Sequence, residues 1–277
     1  MHNNLIENFK KDILGQCGLI LIILFIIAAL LCPLITENPR ANLATAFNPP
    51  SHHHFLGTND VGQDIWARLL WGSRASIFIA LGAGFFSTLF STLIGVSAGL
   101  IGGVYDTIVM RMVDALLAIP TVVVLIVTAS FIKPNIFILI ALISLLHWPG
   151  GARVLRSQTL SIKNRLHILA VRSFGANRRY IILHHIIPEL GPIMIVSFIY
   201  SARMAVFMEA GLAFIGIADP SMISWGTMMH HAVKFYYLPV WKWWLLPPGF
   251  TLSFLILSLT FGGYALERIM EPRLKNA

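Results

Sequence analysis

The stretch Leu160–Pro188, LSIKNRLHILAVRSFGANRRYIILHHIIP, decides how the rest of the chain is read. It lies between hydrophobic segments and is too polar to cross a bilayer. From Gly150 to Pro188 there are seven Lys/Arg (Arg153, Arg156, Lys163, Arg165, Arg172, Arg178, Arg179) and no Asp or Glu. Leu160, Leu166, Leu169 and Ala170 recur at helical rather than strand spacing. Gly175 breaks that pattern, Asn177 is placed to cap a second short helix, and Pro188 closes it. The expectation is helix–glycine–helix, held at the membrane surface between two spans and shaped to be gripped from the cytoplasmic side.

Outward from that stretch the chain is apolar. Of 277 residues 57% are hydrophobic and 12% charged, against roughly 25% charged in a soluble domain. The net charge of +8 is dispersed between apolar runs, which fits a membrane protein better than a nucleic-acid binder. Cys17 and Cys32, on one expected helix, would stand about 22 Å apart at 1.5 Å per residue, too far to pair. The run after Lys10-Lys11-Asp12 is too long for a secretory signal and lacks a cleavage site, so it is expected to remain as an anchor.

A spanning helix needs about 20 mostly apolar residues. Intervals free of charge place spans at Ile13–Thr36, Ala75–Tyr105, Ala115–Ile132, Pro134–Ala152 and Trp243–Leu266. A further span, Gly191–Ile217, carries Arg203 and Glu209 inside it. The chain thus reads as an all-α integral membrane protein of six transmembrane helices. Residues 1–74 hold the N-terminal tail, first helix and an outside loop, and residues 75–277 a core of five helices with the basic loop 160–188. With both termini in the cytoplasm, thirteen Lys/Arg fall inside and six outside, the bias expected of that orientation. Trp225, Trp241, Trp243 and Trp244 then suit the outer headgroup belt.

The basic loop resembles the coupling loop of the permease subunits of ATP-binding-cassette importers, whose signature is Glu-x-x-x-Ala-Ala, then Gly, then a run ending Leu-Pro. Ala170, Gly175-Ala176 and Ile187-Pro188 match it, whereas Leu166 and Val171 stand at the places of the Glu and the second Ala. Between the first two spans, His54-Phe55-Leu56-Gly57-Thr58-Asn59-Asp60-Val61-Gly62-Gln63-Asp64 resembles His-x-Leu-Gly-Thr-Asp-x-x-Gly-Arg-Asp of one branch. That branch is the second membrane subunit of dipeptide, oligopeptide and nickel importers. Asn59 and Gln63 replace the usual Asp and Arg, so an ion pair of relatives is expected to be missing. Arg111–Pro120, Trp148-Pro149-Gly150, Glu209–Ile217, Ser224-Trp225-Gly226 and Pro272-Arg273-Leu274 continue the match in register.

The resemblance implies a type I permease fold in a prokaryotic plasma or inner membrane, forming half of a translocation pathway that works by alternating access. It also implies a homologous second permease, two P-loop ATPases and an extracytoplasmic binding protein as partners. The ATPases would contact Leu166, Ala170, Val171, Arg172, Gly175, Ala176, Arg178, Arg179, His184, His185 and Pro188. The cargo implied is peptide, with nickel or another metal chelate as the alternative. No Gly-x-x-x-x-Gly-Lys-Ser/Thr string occurs, so no cofactor is expected in this chain, and ATP and Mg would be held by the partners.

Three charges at membrane depth are candidates for the pathway, because each needs a partner or water there. Asp114 can pair with Arg111 at i−3, either seating the third span or taking part in gating. Arg203 and Glu209, six residues apart, face directions about 240° apart and cannot pair with each other. His52-His53-His54 and His230-His231 offer imidazoles, but no carboxylate or thiol completes a cluster, and no metal site is expected. A passive channel would need a filter string, and a membrane-embedded enzyme would need paired carboxylates or His-Glu-x-x-His in a span. Neither is present.

Overall fold

A computed structural model describes residues 12–36, 38–41, 44–132 and 134–270, with the side chains of 268–270 left out. Lys10-Lys11, Lys133 and the Pro272-Arg273-Leu274 string lie outside the described residues. Eleven α-helices follow one another and no sheet forms among the described residues, where Thr58 and Asp64 make an isolated bridge. Five helices are long and apolar enough to cross a membrane, and one bent pair passes the same test when its two helices are taken together. This is an all-α multi-pass membrane protein.

Helix α1 (Ile13–Ile35) starts at Asp12, whose carboxylate accepts the Gly15 N–H. Its leucines and isoleucines are exposed over much of its length, from Ile13 and Leu14 to Leu34 and Ile35. In water that would be a liability; in a bilayer it is a lipid face. Helix α2 (Ile65–Ile101) is capped by Asp64, whose Oδ2 accepts the Ala67 N–H at 2.8 Å. Its 37 residues would extend about 55 Å at 1.5 Å per residue, well beyond a hydrocarbon core of about 30 Å. The expected span at Ala75–Tyr105 was therefore shifted: the helix begins ten residues earlier, taking in Arg68 and Arg74, and stops at Gly102 (φ +70°).

The third span is corrected further. Ala115–Ile132 is not one straight helix. Helices α3 (Gly103–Ala118) and α4 (Thr121–Ile132) meet at a 77° bend. Ile119 precedes Pro120, whose ring disfavours helical backbone at the residue before it, and Ile119 is extended (φ −87°, ψ 127°).

Helix α5 (Ile136–Ile162), capped by Asn135, runs ten residues past the expected end of the fourth span, so Arg153 and Arg156 belong to it. Helices α2 and α5 pack along most of their length through small residues spaced by four. Ala83, Ser87, Ser91, Gly95 and Gly99 meet Ser144, Trp148, Ala152 and Thr159. Ser91 donates to the Trp148 carbonyl at 2.7 Å, and a Cβ on Gly95 would stand 2.4 Å from the Ala152 carbonyl oxygen. Backbones approach this closely only where side chains are small, the usual basis of helix association in lipid. Gly18 plays the same part between α1 and the last helix, where a Cβ would meet the Ser258 carbonyl at 2.8 Å.

Helix α6 (Leu166–Ser173) and α7 (Arg178–Ile181) flank Gly175. A π-turn, Ile182–Ile186, then leads without interruption into α8 (Ile187–Phe214). Pro188 does not end this helix, contrary to expectation. A proline deprives the carbonyl four residues back of its donor and crowds it; the wider π-turn just before Pro188 accommodates both effects. One helical rod therefore runs from Arg178 to Phe214. Helix α9 (Trp225–Val233) opens with a capping box between Ser224 and Thr227, and α10 (Trp241–Trp244) leads into α11 (Leu246–Met270).

Trp225 and Trp244 are core residues, not belt residues: both are fully buried. Trp225 Nε1 donates to the Leu69 carbonyl at 2.9 Å, so its polar edge is satisfied inside the protein. They anchor a cluster joining α2, α8, α9 and α11.

Candidate functional site

The basic segment folds onto one end of the bundle. Ile168, Ile181 and Ile186 are buried with Leu190 against Val96, Leu155 and Ile162. That cluster gives the segment a fixed seat. The turn at its centre is a Schellman motif: Gly175 N–H donates to the Arg172 carbonyl at 3.1 Å and Ala176 N–H to the Val171 carbonyl at 3.3 Å. The motif requires left-handed backbone at one residue, and Gly175 supplies it with φ +82°. Asn177 Oδ1 then accepts the Tyr180 N–H at 2.8 Å, starting α7 as its position in the sequence suggests.

The cations divide into two groups. Arg156 forms a two-pronged pair with Asp106 on α3, and Arg153 pairs with Asp114. Lys163 Nζ donates to the Gly99 carbonyl at 2.7 Å. Arg165 and His167 both reach Glu189, at 2.8 and 2.7 Å, tying α6 to the start of α8. These four basic residues and His167 hold the segment to the bundle. Arg172, Arg178 and Arg179 are exposed, with no ion pair among the described residues. Leu166 and Phe174 are 85% and 89% exposed beside them. Two large apolar side chains thus stand exposed next to three guanidiniums that make no ion pair among the described residues, a composition common at interaction surfaces.

Of the residues read from the sequence, Leu166, Ala170, Arg172, Gly175, Arg178 and Arg179 lie on this exposed tip. Val171 and Ala176 face inward and pack on the anchoring cluster. His184 stacks on Tyr180 with ring centroids 4.4 Å apart, His185 is partly buried beside them, and Pro188 is exposed on α8. Phe174 and Glu189 escaped the sequence reading. An aromatic directly before the glycine of a basic turn was the available signal for the first. Glu189 lies one residue past the acid-free stretch, and only the fold brings it back over α6.

The three charges at depth sit in separate places. Asp114 is not paired with Arg111 as expected; its partner is Arg153, 39 positions away on α5, against which α3 packs. Arg203 donates to Thr260 Oγ1 at 3.2 Å and lies 5.2 Å from the centre of the Tyr200 ring. Glu209 is fully buried, and neither of its carboxylate oxygens has a hydrogen-bond partner among the described residues. Its Glu-Ala-Gly-Leu-Ala-Phe-Ile-Gly-Ile string ends in a second Schellman turn, with Gly216 at φ +84°. No group of three or more His, Cys, Asp or Glu able to hold a metal occurs among the described residues.

Residues 91–276 match the family described as binding-protein-dependent transport system inner membrane component. The chain belongs to that family. Similar proteins include the oligopeptide transport system permease protein OppC of Bacillus subtilis, 31% identical over 97% of this chain and 88% of that one. A putative peptide permease protein of Brucella suis is 33% identical over 96% of this chain and 89% of its own length. The dipeptide transport system permease protein DppC of Bacillus subtilis is 29% identical over 98% and 85%.

As an inner membrane component of this family, the chain is a permease of an ATP-binding-cassette importer. It is a transport subunit rather than an enzyme, and membership implies ATPase and binding-protein partners of the general kind such importers use. The two departures from the family string before α2 are also explained. Asn59 Nδ2 donates to Gln63 Oε1 at 3.0 Å, and Asn59 Oδ1 accepts the Gln63 N–H at 2.8 Å. Gln63 Oε1 also takes a bond from the buried Arg68 guanidinium. A neutral amide pair stands where the family string carries Asp and Arg, and the Gln63 carbonyl oxygen satisfies an arginine as well.

Proposed function

We propose that this permease imports peptides, and that its tip around Gly175 is where the ATPases take hold. The observation that carries the peptide reading is the likeness to the oligopeptide permease over 97% of the chain. In this reading both termini and the basic segment face the cytoplasm, in keeping with the excess of Lys/Arg there. A homologous second permease completes the pathway, and two P-loop ATPases, one under each permease, hold the nucleotide.

The mechanics follow from the covalent path. Leu166, Phe174, Arg172, Arg178 and Arg179 give a partner both an apolar grip and charge. His184 and His185 extend that surface along the next turn. A push on the tip is carried by the Schellman turn into α7, and from α7 into α8 along a helix unbroken from Arg178 to Phe214. The Arg165–Glu189–His167 tie keeps α6 and α8 moving together. The spans then rock as rigid bodies, opening the pathway to one side and then to the other. Arg203 lies on this moving rod and is the pathway residue; Asp114, paired with Arg153, ties α3 to α5, and Glu209 is buried on the same rod as Arg203.

The test is ATP-dependent uptake by the assembled transporter with its binding protein in proteoliposomes. Uptake of a labelled oligopeptide is expected. ATP-driven uptake of a nickel chelate with none of any peptide overturns the cargo assignment.

A further inference from the structure

Helices α8 and α11 form a shallow cleft of about 230 Å³ between them. It is lined by Tyr200, Arg203, Thr260, Gly263, Tyr264 and Glu267, among others. Both helices are candidate spans, and Arg203 is the seventeenth of the 28 residues of α8. At 1.5 Å per residue it is more than about 15 Å from either end of that helix. A bare guanidinium at such depth costs several kcal/mol against lipid. The outer face of α1, by contrast, carries mostly aliphatic side chains such as Leu19, Ile20, Ile23 and Leu24, and no charge. The cleft therefore does not look onto hydrocarbon.

Its polar groups are arranged around one cation. Arg203 donates to Thr260 at 3.2 Å and its guanidinium carbon lies 5.2 Å from the Tyr200 ring centroid. Thr260 gives its own proton to the Ile256 carbonyl, which leaves its oxygen free to accept from Arg203. One guanidinium N–H is thus used, out of five that the group carries. No carboxylate lies within 4 Å of Arg203 among the described residues; Glu267 lines the far end of the cleft without reaching it. Tyr200 and Tyr264 are 53% and 61% exposed on either side.

We propose that Arg203 binds the terminal carboxylate of a peptide in transit, with Tyr200 and Tyr264 flanking it. This rests on the peptide-import reading. A guanidinium held by a hydroxyl, with an aromatic ring beside it, still has a pair of parallel donors, the arrangement that fits a planar carboxylate. The cleft is smaller than the roughly 300 Å³ at which small-molecule pockets begin, so it takes an end of a peptide rather than the whole. Such a half-site is what one wall of a pathway between two chains would contribute.

The assembled transporter is loaded with a matched pair of labelled peptides, one with a free carboxyl terminus and one amidated, both shown to be held by the binding protein. Wild type should take up the free acid more efficiently. Arg203→Gln should reduce uptake of the free acid roughly tenfold or more while changing that of the amide little, and Arg203→Lys should keep part of the preference. Equal loss for both peptides overturns the assignment. So does failure of Arg203→Gln to co-purify with the other membrane subunit, which would make Arg203 a structural contact between chains. If wild type imports neither peptide, the peptide reading itself falls, a different outcome from the others.

Discussion

His231 shows how an ordinary residue becomes informative once its neighbours are known. It is partly buried on α9, and burial lowers its pKa first, with repulsion from Arg68, Lys234 and His230 lowering it further against a small offset from Asp60. An unperturbed histidine titrates near 6.5. The fold thus holds the imidazole neutral, while the unfolded chain binds the extra proton. Stability from this residue is present above about pH 6.5 and lost as pH falls through the lower folded value. Melting of the purified protein in detergent between pH 7.5 and 5.5 should show an acid-side loss that His231→Gln makes shallower. An unchanged slope would remove His231 as its source. None of this was visible in the dipeptide His230-His231, which in the sequence offered imidazoles with no cluster around them.

At the scale of elements, the Schellman turn at Gly175 carries the sharpest consequence. No heavy atom lies within 4 Å of where a Cβ would be added there, so a side chain meets no clash. Its cost is conformational, because φ is +82°. That cost is about 1 kcal/mol, and more for a β-branched residue. Gly175→Val should leave the chain inserted in the membrane but loosen recovery of the ATPase subunits and abolish uptake. Pull-down scored beside uptake checks it, and normal values for both would leave the tip without a coupling role. The same scale holds the main departures from the sequence reading. A proline broke the third span, where the residue before it was forced out of helix. Another proline, at 188, failed to break the next rod because the π-turn absorbed it.

For the whole molecule, orientation is the property on which function depends most. Single cysteines at Asn177, Ser51 and Ser221, placed in a chain with Cys17 and Cys32 replaced, should respond oppositely to a membrane-impermeant reagent in intact cells. Ser51 and Ser221 positions should label and the Asn177 position should not. The reverse pattern would put the basic tip outside and separate it from any ATPase.

The membrane class, the approximate spans, the place of the basic turn, its glycine and the family strings were all legible in the amino-acid order. Each is a local property: runs of apolar residues, the need for left-handed backbone at one position, the sign of charge in a short segment. What the sequence left open depends on residues far apart in the chain. Arg153 rather than Arg111 faces Asp114, and Glu189 returns over Arg165 and His167. Trp225 and Trp244 turn inward where composition suggested the headgroup region. The row of small residues from Ala83 to Gly99 has a period of four that can be seen in the sequence, but its partner on α5 cannot. Helix propensity and hydropathy act within one segment, whereas pairing and packing are settled only when two segments meet, and there the tertiary structure alone decides.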